Sequence, residues 1–502
     1  MTSQTTRHLL AATLAAFALG STGCSLLVNF NECSDDSECT SGTCSDGICA
    51  GPAPCTKRSD CAEGFYCLSG TCGQLTPTDS QCKGMRLGSS FEEDTLIVPI
   101  GGLMPLTGIN GPRGEATIDG AELAVRQINQ ARGLQEGRFG IITCDTEYVA
   151  ARAVSAATWM AEEVGVQAFI GAISSSETLD VAAEVCIDAG AVLVSPASTS
   201  PAISGLNDSD LIWRTIASDA LQAPAMVKLA RGLDPAPVKV AVVVVNSAYG
   251  TGFLQEINNT WIGLDADLVS SDNFRSLRYE PPVDGEVSAS DITTIGESLF
   301  SGADALEPDV VLLIGSTEGI ELVYDLEQSH VVAGSEPQWI LSEALQDNLL
   351  LDTKFQPYWS RLQGTTFQQV ETATYQTFRQ NYSAEFNGRE AKDFPFSDKA
   401  FDAAYVIALA FASLEEPLRA TGSDLANQIR KMSGGSSKFT LNTTDFNSAG
   451  TALNQGQIID IDGASGTLDF DTRGDVPSAL ARWSITGGEF DDVEPIDIAE
   501  FE

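Results

Sequence analysis

The feature that most limits the possible folds is an alternation of short β-rich runs with amphipathic segments, beginning at Thr95. Runs rich in Val, Ile and Leu predict buried strands, and the apolar-periodic segments between them predict helices, an order typical of parallel sheets. Roughly four hundred residues of this alternation exceed one doubly wound sheet, so we expect two α/β lobes. Seven runs are predicted to be strands: 96–102, 139–144, 167–171, 191–195, 238–246, 309–315 and 338–342.

The charge and the scarcity of histidine exclude several kinds of function. The chain has 69 acidic residues against 28 Lys and Arg, a formal net charge of -41, which repels the phosphates of nucleic acids and of anionic lipid surfaces. Only two histidines are present, His8 and His330, so a catalytic triad or a histidine metal site has almost no donors. We therefore expect no nucleic acid partner, no metal and no cofactor.

The N-terminal segment has the composition of an export signal. Arg7 and His8 precede the apolar run LLAATLAAFAL, which is too short to span a bilayer, and small residues then lead to Cys24. This pattern resembles a bacterial lipoprotein signal, which implies acylation of Cys24 and stable anchoring. Ser21 departs from the pattern because such signals usually carry an aliphatic residue there. Ordinary secretion with cleavage nearby is the alternative.

Two similar cysteine blocks form an internal repeat. Each block has too few apolar residues to fold by burial, so we expect two disulfides per block in an oxidising compartment. Zinc is the alternative, but the two-residue gaps between paired thiols that zinc knuckles favour are absent. The cysteines of the two blocks are Cys33, Cys39, Cys44, Cys49, Cys55, Cys61, Cys67 and Cys72.

Three further cysteines, Cys82, Cys144 and Cys186, are an odd number, so at least one is unpaired or bonded elsewhere. Cys144 ends a predicted strand and Cys186 lies on the predicted helix after the run of serines, so these two could be close in space. A buried free thiol is the alternative to that pair.

Polar residues follow two successive predicted strands. Three serines, 174–176, follow the run at 167–171, and Ala197, Ser198 and Thr199 follow the next run. In open parallel sheets, ligands bind beyond the carboxyl ends of the strands, where helix N-termini offer free N–H groups. These groups predict a cradle for a small anion such as a carboxylate. Helix capping and turn formation by the same side chains is the alternative, and the residues alone leave both interpretations open.

The order of several longer segments resembles that of type 1 periplasmic binding proteins, the leucine/isoleucine/valine-binding class of ABC-transporter solute receptors. The resemblance covers nearly all of the chain from Thr95 to Phe490. It implies two α/β lobes joined by three crossings, with the ligand between the lobes. The segments that carry it are LIVPIGGLMPLTGINGPRGEATIDGAELAVRQIN, ITCDTEYVAARAVSAATWM, FIGAISSSET, AGAVLVSPASTSP, IWRTIASDALQA, VKVAVVVVNSAYGTGF, FSDKAFDAAYVIALAF and GASGTLDFDTRGD.

The resemblance also implies the ligand contacts. In the first lobe, the serine that binds the ligand carboxylate is Ser175 or Ser176, and Ala197 and Thr199 contact the ligand from the next loop. In the second lobe, Tyr249 covers the ligand and Glu343 receives its ammonium group. The family places an aromatic residue where this chain has Ser316 or Thr317, so specificity for branched aliphatic side chains is in doubt. The family's first-lobe disulfide is also broken, because the usual partner of Cys144 is replaced by serine.

These observations predict a solute-binding lipoprotein that captures a small carboxylate-bearing ligand, in the first instance an amino acid, and presents it to an ABC permease. It is expected to be exported and lipid-anchored to the bacterial cell envelope, at the periplasmic face or the cell surface, with no other membrane contact. One alternative is a tethered sensor or surface receptor without transport, which the cysteine-rich stalk favours. Another is a serine hydrolase, but the chain has no GxSxG motif, and His330 is the one histidine left after export.

The resulting fold class is α/β, with two doubly wound lobes joined by a hinge and preceded by a small disulfide-rich module. The predicted divisions are a signal at 1–23, a tether at 24–32, cysteine-rich repeats at 33–82, a linker at 83–94, a first lobe at about 95–218 and 366–455, and a second lobe at about 219–365 and 456–502.

Overall fold

A computed structural model of the chain describes residues 96–499 except 132, 135–136, 283–284, 333 and 492–493, together with 44–45, 48–49, 55, 65–68, 70–74 and 81–86. The predicted export signal, the predicted lipidation site Cys24 and the cysteines at 33, 39 and 61 lie outside the described residues, as do the side chains of Cys44, Cys49 and Cys67. The chain divides into two units, residues 1–75 with 92–97 and residues 76–91 with 98–502.

The first unit contains two short hairpins. Cys44–Ser45 pairs antiparallel with Ile48–Cys49, and Phe65–Leu68 pairs antiparallel with Thr71–Gln74. Cys55 and Cys72 are both buried and disulfide-bonded. Cross-links of this kind restrict the unfolded chain where apolar burial is too small to stabilise a fold. The pairing within the repeats stays a prediction.

The second unit contains the two lobes, whose sheets are built from sixteen described strands. They are β1 (Cys82–Arg86), β2 (Ile97–Met104), β3 (Arg138–Asp145), β4 (Ala168–Gly171), β5 (Val192–Ser195), β6 (Ile212–Arg214), β7 (Val240–Val245), β8 (Phe274–Tyr279), β9 (Val310–Ile314), β10 (Gln338–Leu341), β11 (Leu362–Phe367), β12 (Ser437–Thr440), β13 (Ile459–Asp462), β14 (Leu480–Thr486), β15 (Glu489–Phe490) and β16 (Glu494–Ile496). Each of the seven predicted strands is confirmed, with ends that differ from the prediction by at most two residues.

The α-helices alternate with these strands. They are α1 (Gly111–Gln130), α2 (Ala150–Trp159), α3 (Ser175–Val181), α4 (Ile187–Ala189), α5 (Pro201–Ser204), α6 (Asp219–Arg231), α7 (Ala248–Val269), α8 (Ala289–Gly296), α9 (Thr317–Ser329), α10 (Ala373–Glu385), α11 (Ser397–Ala412), α12 (Gly422–Ile429) and α13 (Phe446–Asn454). Single π-helical turns occur at Met160–Val164, Ala182–Cys186 and Glu297–Ser301, and 3₁₀ turns at Glu343–Leu345, Asn348–Leu351, Thr353–Phe355, Trp359–Arg361, Ala391–Asp393 and Pro417–Arg419.

The first lobe is built on a sheet with the order β6-β5-β4-β2-β3-β1. The four strands from β6 to β2 are parallel, and β1 pairs antiparallel with β3 at the edge. Helices α1 and α11 pack against each other. The apolar face predicted for α1 is confirmed, because Ala121, Val125 and Ile128 have no exposed surface. Burial of apolar side chains such as these stabilises this lobe.

The second lobe has the sheet order β8-β7-β9-β10-β11-β14-β15. Strands β8 to β11 are parallel, and β14 pairs antiparallel with β11, β15 and β16. Strand β7 has the sequence VAVVVV and is buried along its whole length. A strand that is buried on both faces has a continuous run of apolar residues, and this run is the pattern from which β7 was predicted.

Three crossings join the lobes, after β6, after β11 and before β14. The sequence prediction placed residues from 456 onward in the second lobe, which is wrong for 456–475. Strand β13 pairs in parallel with β12, and the Asp402 carboxylate on α11 accepts hydrogen bonds from the Ala464 and Ser465 N–H groups, each at 2.8 Å. These contacts attach the segment to the first lobe, so the third crossing lies some twenty residues later than predicted.

The predicted pairing of Cys144 with Cys186 is also wrong. Cys144 forms a disulfide with Cys82, and Cys186 is a buried free thiol. Cys82 therefore belongs to edge strand β1 rather than to the repeats, and 83–86 are strand rather than linker. The Arg86 guanidinium reinforces this attachment by pairing with Glu115 and Asp119 on α1.

Candidate functional site

The run of three serines lies where α3 begins, directly after β4. Ser174 is the N-cap of α3: its Oγ accepts a hydrogen bond from the Glu177 N–H, and the Glu177 carboxylate accepts one from the Ser174 N–H. This capping box satisfies two N–H groups that the first turn of a helix leaves without partners. The helix cap is therefore Ser174, whereas Ser175 and Ser176, for which capping was the alternative, make other contacts.

Ser175 and Ser176 bind other loops. The buried Ser175 Oγ accepts a hydrogen bond from the Ser200 N–H at 3.2 Å, which ties the end of β4 to the loop after β5. The Ser176 Oγ accepts one from the Ala248 N–H of the second lobe, also at 3.2 Å, and the Ser200 hydroxyl donates to the Ala248 carbonyl at 3.0 Å. Both backbone groups of Ala248 are thus bound by serines of the first lobe. These bonds can form only when the lobes are together.

The loop after β5 carries the predicted residues Ala197 and Thr199, both buried. Arg214, which has no exposed surface, holds this loop from behind: its Nη1 donates to the carbonyls of Ser198 and Ser200 at 3.3 and 3.0 Å. Its charge is balanced by Asp475, whose Oδ1 lies 2.8 Å from Nε. A buried and fully paired arginine fixes the loop geometry, so the hydroxyl of Thr199 has a defined position.

Thr199 leads to a residue that the sequence analysis did not single out. The Thr199 carbonyl accepts a hydrogen bond from the Asp219 N–H at 2.9 Å, where the chain enters α6. Asp219 has no exposed surface. Burial raises the pKa of its carboxyl group well above the ordinary value, the nearby charge of Glu343 raises that pKa further, and the Thr199 hydroxyl and Arg214 lower it in part.

Glu343 and Tyr249 meet on the side of the second lobe. The Tyr249 hydroxyl, at the start of α7, donates a hydrogen bond to Glu343 Oε2 at 3.1 Å. Glu343 follows β10 and is buried, and burial raises its pKa although Tyr249 and backbone N–H groups lower it in part. Burial and the charges of Glu343 and Asp219 likewise raise the pKa of Tyr249. Two carboxyl groups and a phenol therefore share one low-dielectric space.

Several polar atoms at this place have no hydrogen-bond partner among the described residues. Both carboxylate oxygens of Asp219, both side-chain amide atoms of Gln222 and the Ser342 hydroxyl are buried without a hydrogen bond of normal geometry, although Thr199 lies beside Asp219, Glu343 beside Gln222 and Tyr249 beside Ser342. Buried polar groups are rarely left unpaired in native proteins, because each costs about 1–3 kcal/mol. The oxygen atoms among these groups, together with two buried acids, suit a ligand that carries a cationic hydrogen-bond donor such as an ammonium group.

The position that departs from the family resemblance lies at the N-terminus of α9. The hydroxyls of Ser316 and Thr317 donate long hydrogen bonds to Asn110 Oδ1 of the first lobe, at 3.4 and 3.5 Å. Arg113 of the first lobe donates from Nη1 to Ser316 Oγ at 3.2 Å. Polar groups of both lobes therefore meet where the resemblance implies an aromatic side chain.

The structure thus brings all of the predicted binding residues to the carboxyl ends of parallel strands in the two lobes, where their loops contact one another. Sequence reasoning missed Asp219, Gln222 and Arg113. The first two lie in the quoted segment IWRTIASDALQA, where an acid just after Ser is also what the first turn of a helix prefers. Their buried and unpaired atoms become visible only in three dimensions.

His330 does not belong to this site. It follows the C-terminal end of α9, thirteen residues after Thr317, which corresponds to about 20 Å along a helix. Its Nδ1 lies 3.0 Å from Ser301 Oγ, at the far edge of the second lobe. The described residues contain no group of His, Cys, Asp and Glu side chains that could hold a metal ion. Within the same residues no helix combines the length and the apolarity needed to cross a membrane.

Similar proteins are known in sequence and in structure. The leucine-, isoleucine-, valine-, threonine- and alanine-binding protein of Pseudomonas aeruginosa is 30% identical over 173 residues, which are 34% of this chain and 44% of that protein. The Leu/Ile/Val-binding protein of Escherichia coli K12 is 27% identical over 171 residues, 34% of this chain and 44% of that protein. The matched part therefore spans less than half the length of these relatives.

Among solved structures, LivJ from Streptococcus pneumoniae in complex with isoleucine matches with a TM-score of 0.60 at 17% identity, covering 80% of this chain and 99% of that chain. A solute-binding protein from R. palustris in complex with benzoate matches with a TM-score of 0.57 at 16% identity, covering 79% and 95%. At these identities the likeness concerns the fold, which is the two-lobed α/β fold of type 1 periplasmic binding proteins.

The family described as "Receptor family ligand binding region" matches residues 119–487, more than half of the chain. That range contains strands β3 to β14, the three crossings and every site residue described above except Asn110 and Arg113. The chain therefore belongs to this family of receptor ligand-binding regions, and its fold is that of type 1 periplasmic binding proteins.

Proposed function

We propose that this protein is an exported solute-binding lipoprotein that captures an amino acid between its two lobes and presents it to an ABC permease. The observation that carries the proposal is the buried pair Asp219 and Glu343, beside Tyr249 and unpaired acceptors, facing the hydroxyl-bearing strand ends of the first lobe. An ammonium group would neutralise the acid pair. A carboxylate would meet the hydroxyls of Ser175 and Thr199 at the strand ends.

Closure of the lobes is the step that would couple binding to delivery. Ser176 and Ser200 bind Ala248 across the lobes, and a ligand that contacts both lobes adds its own interactions to the closed form alone. Such a ligand shifts the balance toward closure by its differential affinity for the two forms. The names of relatives support amino acids as the ligand class, since several bind leucine, isoleucine or valine.

A thermal-shift screen of the purified full chain tests the ligand class. An amino acid at 100 times its dissociation constant is expected to stabilise the protein by about 2.7 kcal/mol. Glu343→Gln should abolish the shift, because a neutral amide cannot balance an ammonium group, while the exposed Glu416→Gln serves as the control. Stabilisation by neutral amides but by no zwitterion would reject the proposed role of Glu343.

A second function, a tethered ligand sensor without transport, is favoured by one observation. The match to LivJ covers 99% of that chain but 80% of this one, so about a fifth of this chain has no counterpart in that solved structure. Uptake of radiolabelled ligand by cells lacking the gene separates the two functions. Lost uptake supports delivery to a permease, and unchanged uptake supports the sensor.

A further inference from the structure

Arg113 is a buried cation that crosses from the first lobe to the second. It lies in the first turn of α1, and its side chain is only 6% exposed. Its Nη2 donates to the Ala344 carbonyl at 3.2 Å and to Asp347 Oδ2 at 3.0 Å. Ala344 is the residue after Glu343, so this guanidinium lies next to the proposed ammonium site.

The hydrogen-bonding capacity of Arg113 is only partly used. A guanidinium has five N–H donors in a planar fork. The bonds to Ser316, Ala344 and Asp347 use three of them, and two are longer than the usual mode. Among the described residues, Nε and the second Nη1 hydrogen have no partner. The Asp347 carboxylate balances part of the charge of Arg113. Its side chain is 26% exposed and lies at the rim of the cleft.

Three polar side chains lie beside Arg113. Asn110, Ser316 and Thr317 are all at least 95% buried, and each offers an amide or hydroxyl group. An aliphatic ligand side chain placed here would shield from water the N–H groups of Arg113 that these residues do not engage, which is unfavourable. A side chain that ends in a planar oxygen acceptor would satisfy them, since a guanidinium fork matches carboxylate and carboxamide oxygens.

We propose that Arg113 determines specificity, and that with Ser316 and Asn110 it forms the subsite for a ligand side chain ending in a carboxamide or a carboxylate. This inference rests on the proposed function, because it assumes an amino acid held by Glu343 and the first-lobe strand ends. It predicts preference for asparagine, glutamine, aspartate or glutamate over leucine, isoleucine and valine. Because Asp347 balances only part of the charge of Arg113, both a neutral carboxamide and a carboxylate fit this subsite. Titrations with the two amides and with the two acids distinguish between them.

Isothermal titration calorimetry of the purified full chain with these seven amino acids tests the proposal. The tightest amide or acid is expected to bind roughly 10- to 100-fold more tightly than any of the three aliphatic amino acids, the range for a charge-assisted hydrogen bond. Arg113→Met should reduce that ratio to near one. The ratio of the affinities is measured, rather than one affinity, because Arg113 also joins the lobes. Its loss is therefore expected to lower the affinity for every ligand to some extent. Arg419→Met, at a side chain 82% exposed, is the matched control and should keep the ratio.

Several results would overturn the proposal. Equal or tighter binding of leucine, isoleucine or valine would refute the polar subsite and leave amino acid capture intact. A wild-type preference that survives in Arg113→Met would refute the role of this residue. No heat from any of the seven would refute the ligand class itself, and this inference with it. If Arg113→Met does not fold, Arg113→Lys keeps the charge without the planar fork, and an unreduced ratio in that variant counts against the proposal.

Discussion

The Ser176 side chain of the first lobe accepts a hydrogen bond from the Ala248 N–H of the second lobe at 3.2 Å. Ala248 is the first residue of α7, so this bond satisfies one of the N–H groups that the helix itself leaves unpaired. Since the two residues belong to different lobes, the bond contributes only to the closed form. Closure is therefore stabilised by a side chain that lies one position from a proposed ligand contact, Ser175.

Ser176→Ala and Ser174→Ala separate closure from helix capping. Ser176→Ala should weaken ligand binding several-fold, about 1 kcal/mol, with little change in the melting temperature of the free protein. Ser174→Ala removes the capping box, so it should lower the stability of the free protein by about 1 kcal/mol and leave affinity unchanged. Calorimetric titration of both variants measures the affinity for the ligand, and thermal melting measures the stability of the free protein. Unchanged affinity in Ser176→Ala, with weaker binding in Ser174→Ala, would show that Ser176 has no role in closure.

Tyr249→Phe tests the orientation of Glu343. The substitution keeps the ring and removes the hydroxyl that donates to Glu343 at 3.1 Å. Loss of one such bond should raise the dissociation constant for an amino acid roughly fivefold. The control is Tyr324→Phe, at another half-buried tyrosine of the second lobe whose ring packs against Phe355. Equal affinities for wild type and Tyr249→Phe would show that this tyrosine does not position the acid.

The disulfide between Cys82 and Cys144 joins residues that are 62 positions apart. Removing it with the double substitution to serine should lower the free energy of unfolding by about 2–4 kcal/mol, since the unfolded chain loses a constraint. Peptide mapping under non-reducing conditions should find these two cysteines linked. Cys186 should react with an alkylating reagent only after unfolding, because it is buried. Alkylation of Cys144 in the native protein would contradict the pairing.

Asp402 should make stability depend on pH. Burial raises the pKa of its carboxyl group from 3.8 to about 7, although hydrogen bonds from Ser465 and Ala464 lower it in part. Between about pH 4 and 7 the folded state therefore binds more protons than the unfolded state, so stability is greatest on the acid side and falls as pH rises. The contribution to the slope is at most about 1.4 kcal/mol per pH unit.

Urea unfolding between pH 5 and pH 8 measures this slope. Asp402→Asn should flatten it, whatever its effect on absolute stability, and Asn at the exposed Asp188 should leave the slope unchanged. An identical slope in wild type and Asp402→Asn would show that Asp402 is already ionised in the folded state at pH 5.

How far the sequence predicted this structure depended on where each strand lies in its sheet. Central strands such as β7 are buried on both faces and read as unbroken apolar runs, so they were predicted correctly. Edge strand β8, FRSLRY, carries two arginines and alternates in exposure, and β6 has only three residues; neither stands out from a loop by composition. Cys82 was misassigned because pairing of cysteines cannot be read from spacing.

The candidate site was predictable where it depends on single strand ends and unpredictable where it depends on contact between lobes. Ser175 and Thr199 each follow a strand, so the rule for open parallel sheets located them, whereas Tyr249 was predicted from the family resemblance. Arg113 acts through Ser316, which is 203 positions away along the chain, and no local pattern marks such a contact. Asp219 looks like an ordinary first-turn acid until its burial beside Glu343 is known.

The central claim is that the cleft recognises both charged ends of an amino acid. Calorimetric titration compares the tightest-binding amino acid with its α-keto acid, which lacks the ammonium group, and with its decarboxylated amine. Because Asp219 and Glu343 need a cation and the first-lobe strand ends need an anion, each analogue should bind at least about 100-fold more weakly. An α-keto acid that binds as tightly as the amino acid would contradict the account.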